Sequence, residues 1–301
     1  MSHGMPRFRL TCARPSATRQ LSASVLAALL VAVTVGAQTR IEPRKNSFSP
    51  ADDVRLGREA AAEVRQQLPM LEDRATEAVV EQIGRRLIGA VPGRLQQPAF
   101  RYSFDVVNLR EINAFALPGG PMFLHRGMLQ AARTDDEVAG VMAHELSHVI
   151  LRHGTLQAAK AQKFQIGAIA GQILGSIVGG TKGQIIAQGS QVGLGTYFMK
   201  YGREYEREAD LLGAQIMARA GYDPRHMANM FRTIEAQGGG GGPEWLSSHP
   251  NPGNRYTAIN REASSLRVAG QAGTGPAFAQ VKSRLDRMPA APSMRQVRQG
   301  D

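Results

Sequence analysis

The segment His144-Glu145-Leu146-Ser147-His148 constrains this chain more than any other, because it demands both a local structure and a chemistry. It lies in a stretch, Asp135 to His153, whose apolar residues Val138, Val141, Met142, Leu146, Val149 and Ile150 recur at helical spacing. Acids open that stretch, and Arg152 and His153 close it before Gly154, so the pattern predicts one helix over 135–153. On such a helix His144 and His148 stand at i and i+4, one above the other, and two imidazoles on one face can share a metal ion. Glu145 projects beside them, where a carboxylate can take a proton from a water on that metal. A catalytic zinc site normally uses three protein ligands and keeps one position open, so a third ligand is required from elsewhere.

His153 is the nearest candidate, but it lies five residues past His148 with no glycine to bend the chain between them. It reads instead as a cation at the C-terminal end of the helix dipole. A stronger candidate lies in Glu204-Tyr205-Glu206-Arg207-Glu208-Ala209-Asp210, inside a predicted helix that continues through Leu211, Leu212, Ala214, Ile216 and Met217. There Glu206 and Asp210 share a face, so Glu206 can bind zinc while Asp210 accepts the second N–H of a ligand histidine. Glu204 and Glu208 read as solvated partners of Arg203 and Arg207, although periodicity alone leaves either in play as the ligand.

At the N-terminus, Arg7, Arg9, Arg14 and Arg19 precede the uncharged apolar stretch Leu21 to Val35, which ends in Val35-Gly36-Ala37. That order predicts a signal peptide over residues 1–37 and an exported product. The alternative, a retained anchor, needs ~20 apolar residues to span a membrane, and this run is shorter. The single cysteine, Cys12, falls in the leader, so the mature part would carry neither a disulfide nor a lipid on sulfur. The formal charge of +11 becomes +7 once the four leader arginines are removed, enough to favour peripheral contact with anionic membrane surfaces. The remaining basic residues are scattered and form no recognised nucleic-acid motif, so no nucleic-acid partner is expected.

Residues 38–48 read as a linker. Ser49-Pro50-Ala51-Asp52-Asp53 then reads as a helix start, with a second amphipathic helix from about Arg74 to Ala90. Between residues 100 and 124 the period shifts toward two, which predicts three short strands: Tyr102 to Val107, Ile112 to Leu117, and Pro121 to Leu124. The segment Ile166 to Gly195 combines many glycines with Ile, Leu and Val around one charge, Lys182; it reads either as loosely packed helices or as a movable, membrane-contacting hairpin.

His144-Glu145-x-x-His148 followed by Glu206-x-x-Ala209-Asp210 resembles peptidase family M forty-eight, the gluzincin metallopeptidases that include the CAAX prenyl endoprotease and HtpX, and in particular its soluble periplasmic type. The resemblance runs from the Ser49 helix to about Arg255. It implies an α+β, mainly helical domain over 49–267, with a small sheet whose edge strand precedes the H-E-x-x-H helix and a partly disordered extension over 268–301. It places one zinc ion on His144, His148 and Glu206, the general base on Glu145 and the supporting acid on Asp210. Asn113, Ala114 and Phe115 would belong to the edge strand that lies along an extended substrate, a form of β-augmentation. His249 and Arg255 would approach the reacting carbonyl, where a donor can stabilise an oxyanion. His249 follows five glycines, and whether it assists there or blocks the metal at rest stays open. The implied activity is peptide hydrolysis by a zinc-activated water on exported, misfolded or envelope polypeptides. The competing reading is a chaperone-like binder of unfolded envelope proteins with little turnover.

Overall fold

The computed structural model describes residues 1, 38–160, 201–237, 244–251, 253–270 and 275–299. Nearly all of the predicted leader, the glycine-rich segment 166–195 and the run 238–242 lie outside them. Helix α1, Pro50–Gln67, starts as expected: Ser49 and Asp52 exchange side-chain and backbone hydrogen bonds in a capping box, and Pro50 opens the first turn. Helix α2, Arg74–Gly89, is capped by Asp73, whose carboxylate accepts from the Thr76 amide, and it buries Val79, Val80, Ile83 and Leu87.

Three strands follow, β1 Ser103–Val107, β2 Ala114–Ala116 and β3 Pro121–His125, in the spatial order β1-β3-β2. β1 runs parallel to β3, with Ser103 opposite Pro121, whereas β2 is antiparallel to it, with Ala114 opposite Leu124 and Ala116 opposite Met122. β2 is therefore an edge strand. It is three residues long where alternation predicted six, because it pairs with β3 alone and Gly119 and Gly120 turn the chain at positive φ directly after it.

The remaining described helices are α3 Arg126–Ala131, α4 Asp135–Ile150, α5 His153–Lys160, α6 Arg203–Ala220, α7 Arg225–Gln237, α8 Glu244–Ser248, α9 Arg255–Ser265, α10 Pro276–Arg287 and α11 Met294–Gln299. Every residue of α4 from Glu137 to Ile150 is buried, because α6, α7, α2 and β2 all pack against it. Close approach depends on two glycines: a Cβ on Gly140 would meet the Met227 backbone at 2.6 Å, and one on Gly213 would lie 3.2 Å from the Ala143 backbone, next to His144. In the C-terminal stretch, Phe278, Val281 and Leu285 of α10 join the same core. Buried Arg126 donates to the carbonyls of Leu285, Met288 and Pro289 at the end of that helix. Among the described residues no helix is long and apolar enough to cross a membrane.

The helix predicted over 135–153 ends at Ile150 instead. Arg152 sits at φ 59, a left-handed conformation that costs a non-glycine residue roughly 1–2 kcal/mol, and His153 opens a new helix beyond it. The offset lies in what Arg152 reaches from there: its guanidinium pairs with the buried Asp53 carboxylate and donates to the Phe48 carbonyl at 2.5 Å. One carboxylate on α1 and one carbonyl before it thus gain a partner where α4 stops.

Helix α1 lies against the β2–β3 turn so tightly that a Cβ on Gly57 would stand 1.7 Å from the Pro118 carbonyl oxygen, a backbone atom. Gly57→Ala should therefore lower unfolding stability by roughly 1–3 kcal/mol, read as a lower urea midpoint at unchanged slope. A wild-type midpoint would show that the turn gives way without cost.

Candidate metal centre

Helix α4 places His144 and His148 one turn apart, both buried, with their Nε2 atoms 3.1 Å from each other. Helix α6 crosses α4 and brings in Glu206, whose Oε2 lies 3.5 Å from His144 Nε2 and whose Oε1 lies 3.3 Å from His148 Nε2. The fourth donor is His249, just past α8, with Nδ1 3.3 Å from His144 Nε2 and 3.0 Å from Glu206 Oε1. Zinc bonds of ~2.0–2.1 Å in a tetrahedron separate neighbouring donors by roughly 3.3 Å, which is the spacing found here. Burial holds the pKa of His144 well below its ordinary value and that of His148 down to about 4, so both rings are neutral and offer lone pairs. The carboxylate of Glu206 is opposed by burial, but His249 and His148 outweigh that and keep it ionised. A convergent set of neutral imidazoles and a carboxylate is the donor chemistry zinc takes, and these residues fit it.

The groups around the donors are equally dry. Asp210 Oδ1 lies 3.0 Å from His144 Nδ1, at hydrogen-bonding distance though not in hydrogen-bonding alignment. Arg255, the first residue of α9, donates through Nε to Asp210 Oδ2 at 2.9 Å and through Nη2 to Glu206 Oε2 at 2.7 Å. Its guanidinium lies 4.2 Å from the ring centre of Phe231 and 5.0 Å from that of Trp245. Arg255, expected beside the reacting carbonyl, is thus committed to the two carboxylates of α6. Glu145 is buried, and that burial raises its pKa; its Oε1 accepts from Trp245 Nε1 at 3.1 Å and lies 3.5 Å from His249 Nε2. Burial disfavours charge on His249, yet Glu145 and Glu206 prevail and raise its pKa.

Two expectations need correction. His153 is not a cation on a helix end: it is fully buried, burial lowers its pKa to about 4, and its Nδ1 lies 3.0 Å from Nδ1 of His148. Glu208 does not face solvent with Arg203 or Arg207; it stands between His153 Nε2, at 3.2 Å, and Arg44 Nη2, at 2.7 Å. Glu204 is exposed and meets Arg44 as well. Neither joins the donor group.

Of the edge-strand residues, Asn113 and Ala114 are buried and Phe115 stacks on Phe123 with ring centres 5.2 Å apart. The next residues, Ala116, Leu117 and Pro118, line a small cleft with His148, Val149, Arg152 and Tyr201, so the strand ends beside the donor group. Sequence reasoning missed Trp245 and Tyr201, whose rings stack on His249 at 4.7 Å and on His148 at 4.0 Å. Trp245 was within reach, because it precedes His249 by four residues, one turn of helix.

A helix carrying His-Glu-x-x-His, crossed by a second helix that supplies a glutamate, defines a metallopeptidase with a gluzincin-like site. The profile of Peptidase family M48 matches residues 74–263, and the chain belongs to that family. It is 27% identical over 270 residues to the beta-barrel assembly-enhancing protease of Escherichia coli (strain K12), covering 83% of this chain and 54% of that one. It is 27% identical over 227 residues to the protein of the same name from Yersinia pestis, covering 73% and 46%. With the mitochondrial metalloendopeptidase OMA1 of Homo sapiens it shares 30% identity over 178 residues, covering 57% and 33%. The chain spans about half the length, or less, of these curated relatives.

Because Glu206 faces the two histidines and Glu204 faces solvent, Glu206→Ala should lose its zinc on dialysis while Glu204→Ala keeps one equivalent, measured as metal content per chain. Equal losses in the two variants would contradict the helix phase described here.

Proposed function

We propose that this protein is a zinc-dependent metalloendopeptidase that hydrolyses exported polypeptides, with misfolded or envelope proteins as its substrate class. The observation that carries the reading is the convergence of His144, His148 and Glu206 within 3.5 Å of one another, with Glu145 beside them on the same helix. A zinc ion on those three residues would polarise the scissile carbonyl and lower the pKa of water toward ~7. Glu145 is the base that takes the proton of the attacking water and returns it to the leaving amine; burial, which raises its pKa, suits it to both halves of that exchange. Asp210 orients His144 from behind, and Arg255 balances the paired charges of Glu206 and Asp210. β2 serves as the edge along which an extended substrate pairs, its direction leading to the cleft at His148.

His249 occupies the fourth corner of the donor group, where a substrate carbonyl has to enter, and Trp245 holds both it and Glu145. This is the arrangement of a resting enzyme whose own histidine fills the open position. Residues 1–37 act as the export signal, and residues 49–267 carry the peptidase domain. Envelope substrates accord with the name of the Escherichia coli relative, and the basic balance of the mature chain accords with peripheral membrane contact.

Glu145→Gln should reduce cleavage of an unfolded protein by roughly 10²–10⁴-fold while zinc stays bound, since the amide removes the base and no ligand. Wild-type turnover in that variant would end the assignment. His249→Ala should cleave the same substrate faster than wild type in the absence of any activator. Activity at or below wild type would reject self-inhibition, and a loss of about 10²-fold or more would instead identify an oxyanion donor.

A further inference from the structure

Behind His148 runs a chain of polar contacts that the proposed reaction does not use. Nδ1 of His148 lies 3.0 Å from Nδ1 of His153, Nε2 of His153 lies 3.2 Å from Oε2 of Glu208, and Oε1 of Glu208 lies 2.7 Å from Nη2 of Arg44. His153 is held in place by a stack on Tyr205, with ring centres 4.4 Å apart. Arg44 comes from the segment before α1, and its guanidinium also lies over the Tyr205 ring, 5.5 Å from its centre.

The direction of each bond follows from the outer end. A guanidinium only donates, and an ionised carboxylate only accepts. Glu208 therefore requires the proton of His153 to sit on Nε2. A neutral His153 then presents a bare Nδ1, which accepts from Nδ1–H of His148, and His148 is left with an unprotonated Nε2. That is the atom turned toward His144 and Glu206. The opposite order would place a proton on His148 Nε2 and close it as a ligand.

We propose that His153, Glu208 and Arg44 form a positioning relay that sets the tautomer and ring orientation of His148, so that the segment preceding α1 takes part in holding the metal. The proposal rests on the reading of His148 as a zinc ligand. Each ligand histidine then has an outer carboxylate of its own, Asp210 directly behind His144 and Glu208 one imidazole removed from His148. Arg44 carries the arrangement furthest, because it lies about a hundred residues from α4 in sequence and reaches the relay only when residues 38–48 are docked along α6.

The test is the zinc dissociation constant of the full chain, measured by competition with a chromophoric chelator, beside the thermal midpoint of the metal-free protein. His153→Phe keeps a ring against Tyr205 and removes both nitrogens; it should weaken zinc binding by roughly 10–100-fold with the metal-free midpoint unchanged. Arg44→Ala changes a partly exposed side chain and keeps the test valid if His153→Phe does not fold; it should weaken binding at the low end of that range, about tenfold, and Arg44→Lys should restore most of the loss. Wild-type affinity in Arg44→Ala or in folded His153→Phe, with zinc bound tightly by the unaltered chain, overturns the relay alone. A fall in affinity matched by an equal fall in metal-free stability overturns it too, because it identifies a structural role. An unaltered chain that binds no zinc overturns both this proposal and the metallopeptidase reading.

Discussion

Where α4 and α6 cross, both helices carry ionisable side chains, and all of them are out of water. His144, His148, Glu145, Glu206, Asp210, His249 and Arg255 are each at most 3% exposed. Taking single charges out of water costs several kcal/mol apiece, so such a group persists only when every member has a partner of the right kind. The partners come from distant parts of the chain: α9 supplies Arg255, α8 supplies Trp245, and the residue after α8 is His249. The rest of the fold can be understood as what holds those elements against one crossing point. The glycines at 140 and 213, where helix backbones approach, and α10 against α2 and α3 serve that end.

Much of the centre was legible because it is local. His144, Glu145 and His148 follow from one helix and its period; a second helix puts Glu206 and Asp210 on one face, but its period left Glu204 and Glu208 open and the family resemblance chose Glu206. The sheet was legible as three strands with β2 preceding α4, although its parallel pairing of β1 with β3 is a tertiary fact that alternation does not contain. What sequence did not reveal depends on contacts between remote residues. His153 looked like the last residue of α4 because nothing nearby signals a break; the break comes from Asp53 and Phe48, which draw Arg152 into a left-handed turn. Five residues along an unbroken helix rotate a side chain by about 140°, which would have carried His153 away from His148. The turn at Arg152 brings it back behind the ring.

Arg255 shows the converse case. Its position in the sequence suggested a role facing the substrate, yet two carboxylates and two aromatic rings surround it. With the metal proposed above, a cation next to Glu206 would draw electron density from that carboxylate and temper its hold, while Asp210 beside His144 and the imidazole behind His148 would push the other way. The balance between tight binding and Lewis acidity would thereby be distributed over residues outside the donor group.

The chain contains a single tryptophan, Trp245, and its indole stacks on His249, donates to Glu145 and lies beside Phe231. Indole emission depends on what touches the ring and on whether its N–H is bonded. A histidine that leaves the fourth corner must leave the face of that indole as well. The molecule therefore carries a native fluorophore whose signal has no other tryptophan to dilute it, placed so that the withdrawal of His249 from the resting arrangement proposed above would be an optical event.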